Sequence, residues 1–320
     1  MNLLKLLFGT NIRRINETAI NHAKAYVDEI DDFNVIKMNL KEHSIEALVD
    51  EAQILPMFSE RKVIIVTDAF IFTAERVRAE VKHNIDLLIE YIENKNDDTL
   101  IIFEVYAESL DKRKKITKLM NKHGEVNEVK PMSEHELKAF IKDTLSHNDI
   151  HITPDAVNTF LDKTSIDYET VINELDKLVL YADERIEVSD IEDVVSESLE
   201  SNVFRVTDLI LANKKVEAVH LVRHLILQKE EPIKLLALIT RQFRLMYQVK
   251  LLSAKGFDQD YIARTIKSHP YPVKLALGRV RGVHLDGLLA KIVKCRDIDY
   301  RMKSSYLDKQ SLFETFILEI

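Results

Sequence analysis

The sequence predicts an α/β domain built on an open parallel sheet, followed by an all-helical remainder. Three observations predict it. Strand-like and helix-like stretches alternate five times in the first 130 residues. The stretch Lys62-Val-Ile-Ile-Val-Thr67 is apolar on both faces, which suits a strand covered by helices on either side. Beyond Pro131 only helix starts, helical spacings and Pro or Gly punctuation recur.

Leu3 to Phe8 is a short apolar run ended by Gly9, read as the first strand. Ile12, Ile15, Ala19, Ala23 and Val27 then fall at helical spacing. Val35 to Leu40 reads as a second strand. Ser44 caps a helix whose Ile45, Leu48, Val49 and Ala52 share one face, and Pro56 closes it. After the Lys62 strand the pattern predicts a helix from about Ala74 to Glu93, a strand Thr99 to Val105, a helix Arg113 to Lys122 and a strand Glu125 to Lys130.

Pro131 marks a boundary, and Ser133-Glu-His-Glu136 beyond it is a capping box, serine to the third amide and glutamate back to the cap amide. Thr153-Pro154 opens the next helix, with proline where a missing N–H is harmless. Asp167 and Ser189 open two more, the latter with Glu192 as box partner. From Val203 onward the chain reads as helical almost throughout. The expected domains are residues 1–131, 132–200 and 201–320.

With 46% hydrophobic and 31% charged residues, the chain is not a disordered one. The apolar start is broken by Lys5 and does not read as a signal peptide, and no run approaches the ~18 apolar residues of a membrane helix. The single cysteine, Cys295, excludes an internal disulfide and fits a reducing, cytoplasmic location. Net charge is −4 over 1–130, −13 over 131–200 and +9 over 201–320. The basic final third suits nucleic acid, an acidic neighbour or simply a solvated face.

The connection Ile54 to Arg61 holds the least comfortable side chains. Met57 and Phe58 follow Pro56 and precede Ser59, Glu60, Arg61 and Lys62, in a place where polar residues are the rule. A thioether and a phenyl ring there are either tucked under the fold or offered to a partner.

Catalytic and metal chemistry finds little support. A P-loop needs glycines that let amides face phosphates, a lysine for the β/γ oxygens and a Ser/Thr for magnesium. The turn here reads Phe8-Gly9-Thr10-Asn11-Ile12-Arg13-Arg14, with one glycine and no Gly-Lys-Ser/Thr. Asp68 stands at a strand end like a magnesium-holding acid but lacks the adjoining glutamate. His220 and His224 lie four apart without a third ligand, so no metal site is expected. No nucleophile or coupled carboxylate pair stands out. The expectation is a chain with no active site and no cofactor of its own.

Two basic sets are candidates for contact with DNA or another subunit. Lys112, Arg113, Lys114 and Lys115 open the fourth helix, an end where the helix dipole disfavours cations. Arg241, Arg244 and Lys274 belong to a second set with Lys250, Arg279, Arg281, Lys291, Lys294 and Arg296.

An ordered set of short motifs resembles the delta subunit family of the bacterial DNA polymerase III clamp loader. The motifs are Leu7-Phe8-Gly9 before a degenerate phosphate turn, Leu55-Pro-Met-Phe-Ser-Glu-Arg-Lys62, and Leu110-Asp-Lys-Arg-Lys-Lys115. Arg241-Gln-Phe-Arg244, His269-Pro-Tyr271 and Asp299-Tyr-Arg-Met-Lys303 before Leu312-Phe-Glu314 continue it. The resemblance implies an AAA+-like α/β domain, a small helical lid and a C-terminal helical collar. It implies a non-hydrolysing member of a hetero-pentamer with ATPase and delta-prime type subunits, inside a DNA-directed DNA polymerase (nucleotidyltransferase) holoenzyme. Its partners would be the beta sliding clamp, which it opens, and primed DNA within the complex, with no membrane. The clamp-binding residues so implied are Gln53, Leu55, Pro56, Met57 and Phe58. The alternatives are a divergent ATPase or helicase-like AAA+ enzyme, or a free-standing DNA-binding protein.

Overall fold

The computed structural model describes residues 2–56, 60–75 and 80–320, which divide into two compact units, Met1–Pro131 and Met132–Ile320. The division falls at the proline that the sequence marks as a boundary.

Within the first unit, five strands form one sheet: β1 (Leu4–Gly9), β2 (Val35–Asn39), β3 (Lys62–Thr67), β4 (Thr99–Tyr106) and β5 (Glu125–Glu128). Every pairing is parallel and the order is β2-β3-β4-β1-β5. Four helices alternate with them: α1 (Ile12–Lys24), α2 (Ile45–Gln53), α3 (Ile85–Glu93) and α4 (Lys115–His123). The period-2 alternation of strand side chains divides the core in two. Leu7, Val63, Ile65, Leu100 and Ile102 face Ile15, Ala19 and Ala23 of α1. Leu4, Leu6, Ile64, Val66, Ile101 and Phe103 face α2, α3 and α4. This is the doubly covered α/β architecture that the all-apolar strands predict.

Two local expectations are corrected. The helix expected from Ala74 begins at Ile85, because Asn84 caps it by accepting from the Asp86 N–H. Upstream, a 3-10 turn at Phe70–Phe72 ends at Thr73, whose hydroxyl donates to the Phe70 carbonyl. Pro56 does not end α2 either. The helix stops at Gln53, and Ile54 is already extended, two residues ahead of the proline. A residue before proline avoids helical backbone, and here the change of direction sets in one residue earlier still.

The second unit is helical and holds two hydrophobic cores. One runs from Leu137 to Val195 and joins α5 (Glu134–Ser146), α6 (Pro154–Thr164), α7 (Tyr168–Tyr181) and α8 (Val188–Val194). The expected caps at Ser133, Thr153 and Asp167 are present, the first as a full capping box with Glu136. The expected box at Ser189 is displaced: Asp190 accepts from the Glu187 N–H at 2.7 Å, so α8 starts one residue before Ser189. A two-residue parallel ladder of β6 (His151–Ile152) and β7 (Arg185–Ile186) also interrupts the helices. Such pieces are too short to leave a periodic signal.

The other core runs from Val203 to Ile320 and joins seven helices. These are α9 (Leu199–Leu211), α10 (Lys215–Leu227), α11 (Pro232–Ser253), α12 (Gln259–Ile266), α13 (Pro270–Arg279), α14 (Leu285–Ser304) and α15 (Lys309–Glu319). Cys295 is fully buried in it, and burial pushes its thiol up to about 11, so it stays an inert thiol. Among the described residues, no helix is long and apolar enough to cross a membrane.

Candidate functional site

The α2–β3 connection is built from its ends. Ser44 caps α2 by accepting from the Ala47 N–H, and Ile45, Leu48, Val49 and Ala52 are buried against the sheet. That leaves Gln53 on the solvent side of the last turn. Ile54 and Leu55 follow at 54% and 66% exposure, with Pro56 half-buried. Two consecutive exposed branched aliphatics at a helix end are an expense that core packing does not explain. Met57 and Phe58, the centre of the sequence-predicted contact, lie outside the described residues, as does Ser59.

The base of this connection is held rigidly. Lys62, the first residue of β3, is only 2% exposed. Its Nζ donates to the Glu51 carbonyl at 2.5 Å, the Ile54 carbonyl at 2.7 Å and Glu51 Oε1 at 3.0 Å. An ammonium has three protons, and all three are used. The neighbouring Ala52 carbonyl accepts from Asn96 Nδ2 at 2.7 Å and from Thr99 Oγ1 at 3.2 Å. The last carbonyls of a helix have no partner within it, and here side chains from β3 and from the approach to β4 supply them. A pocket of ≈ 330 Å³ lies beside the connection, lined among others by Val49, Gln53, Leu55, Leu87, Tyr91 and Asn96. Burial pushes the Tyr91 hydroxyl up to about 12.

The phosphate turn is occupied by the chain itself. A Cβ on Gly9 would lie 2.5 Å from the Val129 carbonyl oxygen, so this glycine permits close approach of the segment after β5. The Val129 N–H donates to the Phe8 carbonyl at 2.7 Å across the same approach. Asn11 takes up the Arg14 N–H as the cap of α1, and the Arg14 guanidinium donates to the Lys130 carbonyl. Among the helix amides that phosphate oxygens would meet, that of Arg14 is already taken by the Asn11 side chain.

Asp68, the acid at the end of β3, has a positive φ of 51°. It accepts from Lys41 Nζ at 2.5 Å and from Asn39 Nδ2 at 2.8 Å. One strand over, Glu104 is buried in β4, accepting from the Tyr106 hydroxyl at 2.6 Å. The Asn16 amide, oriented to donate, lies 2.7 Å from the same oxygen. Burial raises the Glu104 carboxyl above its ordinary range, against the lowering effect of Tyr106. Nothing in the sequence marks this acid as buried, because one Glu in an otherwise apolar strand resembles an edge position.

The first basic set is partly engaged. Arg113 grips Asp111 with two hydrogen bonds of 2.9 Å, and these hold the Asp111 carboxyl down to about 2. Lys114 donates to the Ile71 carbonyl at 2.9 Å, while Lys112 and Lys115 are exposed. In the second set, Arg241 pairs with Glu200 at 2.5 Å, Lys274 with Glu134 at 2.7 Å and Arg279 with Asp208 at 2.7 Å. Lys250 caps the end of α13 through the Val280 carbonyl, and Lys291 and Lys294 take the Ile320 and Glu319 carbonyls. Arg244 and Arg281 remain exposed. Most of these cations pair acids or backbone carbonyls at helix ends.

Comparison with known proteins agrees along the chain. Residues 6–130 match the family model described as DNA polymerase III, delta subunit, and residues 200–320 match the one described as its C-terminal domain. The DNA polymerase III subunit delta of Bacillus subtilis (strain 168) is 31% identical over 317 residues, 98% of this chain and 91% of that protein. The solved structure of the Bacillus subtilis DNA clamp loader delta protein is similar with a TM-score of 0.67 and 30% identity, covering 100% of this chain and 95% of the other. With both family models matched and a relative aligned over nearly its whole length, the chain belongs to the DNA polymerase III delta subunit family, and its role is that of a clamp-loader subunit in DNA replication.

Proposed function

We propose that this chain is the clamp-opening, non-hydrolysing subunit of its loader, and that it grips the beta sliding clamp through the α2–β3 connection. The observation that carries this reading is the contrast between the two ends of that connection. Its base is fixed by a fully used, buried Lys62, while Ile54 and Leu55 stand in solvent just ahead of Pro56, which Met57 and Phe58 follow in sequence. A rigid base under exposed apolar residues loses little entropy on docking. An aromatic anchor in an apolar pocket concentrates ~2 kcal/mol or more in one residue. Opening a closed ring then requires only that the open form be bound better than the closed one.

Gln53, Leu55, Pro56, Met57 and Phe58 form the contact in this reading. Residues 132–200 serve as lid and 201–320 as the collar that joins ATPase and delta-prime type subunits around primed DNA in the cytoplasm. The filled phosphate turn at Gly9, Asn11 and Arg14 supports a chain that leaves nucleotide turnover to its neighbours. Titration calorimetry of the full chain against the sliding clamp tests the reading, run beside an ATPase assay of the chain alone. Saturable clamp binding with turnover at the buffer level is expected. Turnover above buffer without clamp binding would favour a divergent ATPase instead.

A further inference from the structure

One aromatic pair in the second unit has no part in the clamp contact. Gly256, with φ at 85°, turns the chain out of α11 and places Phe257 ahead of α12. Asp258 caps α12 by accepting from the Tyr261 N–H at 2.8 Å. These two local devices hold the Phe257 and Tyr261 rings parallel, 4.2 Å between centroids and 15° between planes. Both rings stay in solvent, at 38% and 43% exposure. Lys255, Arg264 and Lys267 flank them in sequence and are exposed, with Arg264 steadied by its Nε bond to the Asp260 carbonyl.

We propose that Phe257 and Tyr261 form a stacking platform for bases of single-stranded DNA, with Lys255, Arg264 and Lys267 meeting the backbone phosphates. Base–aromatic stacking needs only an exposed, oriented ring face and nearby cations, and it tolerates any sequence. A protein interface of comparable weight needs an apolar centre wider than two rings. In sequence the neighbours of the rings are instead Lys255, Gly256, Asp258 and Asp260, all of them exposed. Because α12 and its cap fix the ring planes before any ligand arrives, binding orders little of the protein.

The test is fluorescence anisotropy of the full chain with a fluorescein-labelled oligothymidylate 20-mer at low salt, a duplex of equal length serving as comparison. Phe257→Ala with Tyr261→Ala should weaken single-strand binding at least about tenfold. Phe257→Tyr and Tyr261→Phe should keep it. Lys255→Ala should lower the slope of log affinity against log salt by about 0.7. Absence of binding by the wild-type chain overturns the proposal. So does unchanged binding by the double alanine variant, or equal loss in the conservative variants. Loss of ATPase-subunit capture with oligonucleotide binding intact would make the pair a protein contact and overturn it too. The clamp is absent from this assay, so its outcome is independent of the clamp contact.

Discussion

Lys62 Nζ lies 2.7 Å from the carbonyl oxygen of Ile54, tying the first residue of β3 to the first residue beyond α2. A buried cation thereby fixes the point from which the exposed connection departs. Lys62→Met keeps the bulk but strands two carbonyls and the Glu51 carboxylate. Breaking a buried, hydrogen-bonded charge in this way costs about 3 kcal/mol or more. We expect a lower urea midpoint for the full chain and faster hydrogen exchange at the Ile54 amide. Unchanged exchange there would show that Lys62 does not hold the base.

Gly9→Ala addresses the close approach of Val129. The added methyl would meet a backbone oxygen at 2.5 Å, which cannot rotate away. A loss of about 1–3 kcal/mol follows from forced backbone shifts. Thermal unfolding reads it, and a Tm equal to that of the unsubstituted chain would refute the packing role.

Glu104 sets a pH dependence. Its carboxyl binds a proton more tightly in the folded chain than at the ordinary value of 4.5, through burial. Folding therefore takes up a proton in the window that starts near 4.5 and extends upward to the raised folded value. The raised affinity favours the fold below that window, and this stabilisation is lost as pH rises through it. Glu104→Gln retains an acceptor for Tyr106 and removes the titration. Urea midpoints from pH 4 to 8 should flatten in the variant, with stability at pH 7 equal to or above that of the unsubstituted chain. A variant profile as steep as the original would contradict the assignment.

The exposed cations make a different prediction. Lys112 and Lys115 stand in solvent, whereas Lys274 and Arg279 pair Glu134 and Asp208. Alanine at Lys112 and Lys115 together should leave Tm unchanged and lower the salt slope of DNA binding by the assembled loader by about 1–2. An unaltered slope would exclude this pair from the phosphate path.

The sheet was legible because Val63 to Val66 and Leu100 to Phe103 are apolar on both faces, a pattern a half-wet strand does not have. Helix starts were legible where one side chain does the capping, at Ser44, Ser133, Thr153 and Asp167. The β6–β7 ladder was not, since two residues per strand carry no period. The proposed contact rests on the misplaced Met57-Phe58 pair of the sequence, and what holds its base was hidden there. Lys62 looks in sequence like the charged edge of a strand, and only the fold brings the Glu51 and Ile54 carbonyls around it. Glu104 was hidden for the same reason, its partners Tyr106 and Asn16 meeting it only once β4 packs on α1.

Gripping of the sliding clamp by the connection from Gln53 to Phe58 is decided by one double substitution. Met57→Ala with Phe58→Ala, titrated against the clamp by calorimetry, should lose clamp binding by at least about a hundredfold. Its Tm should stay that of the unsubstituted chain. Clamp affinity unchanged in a folded double variant would contradict the account.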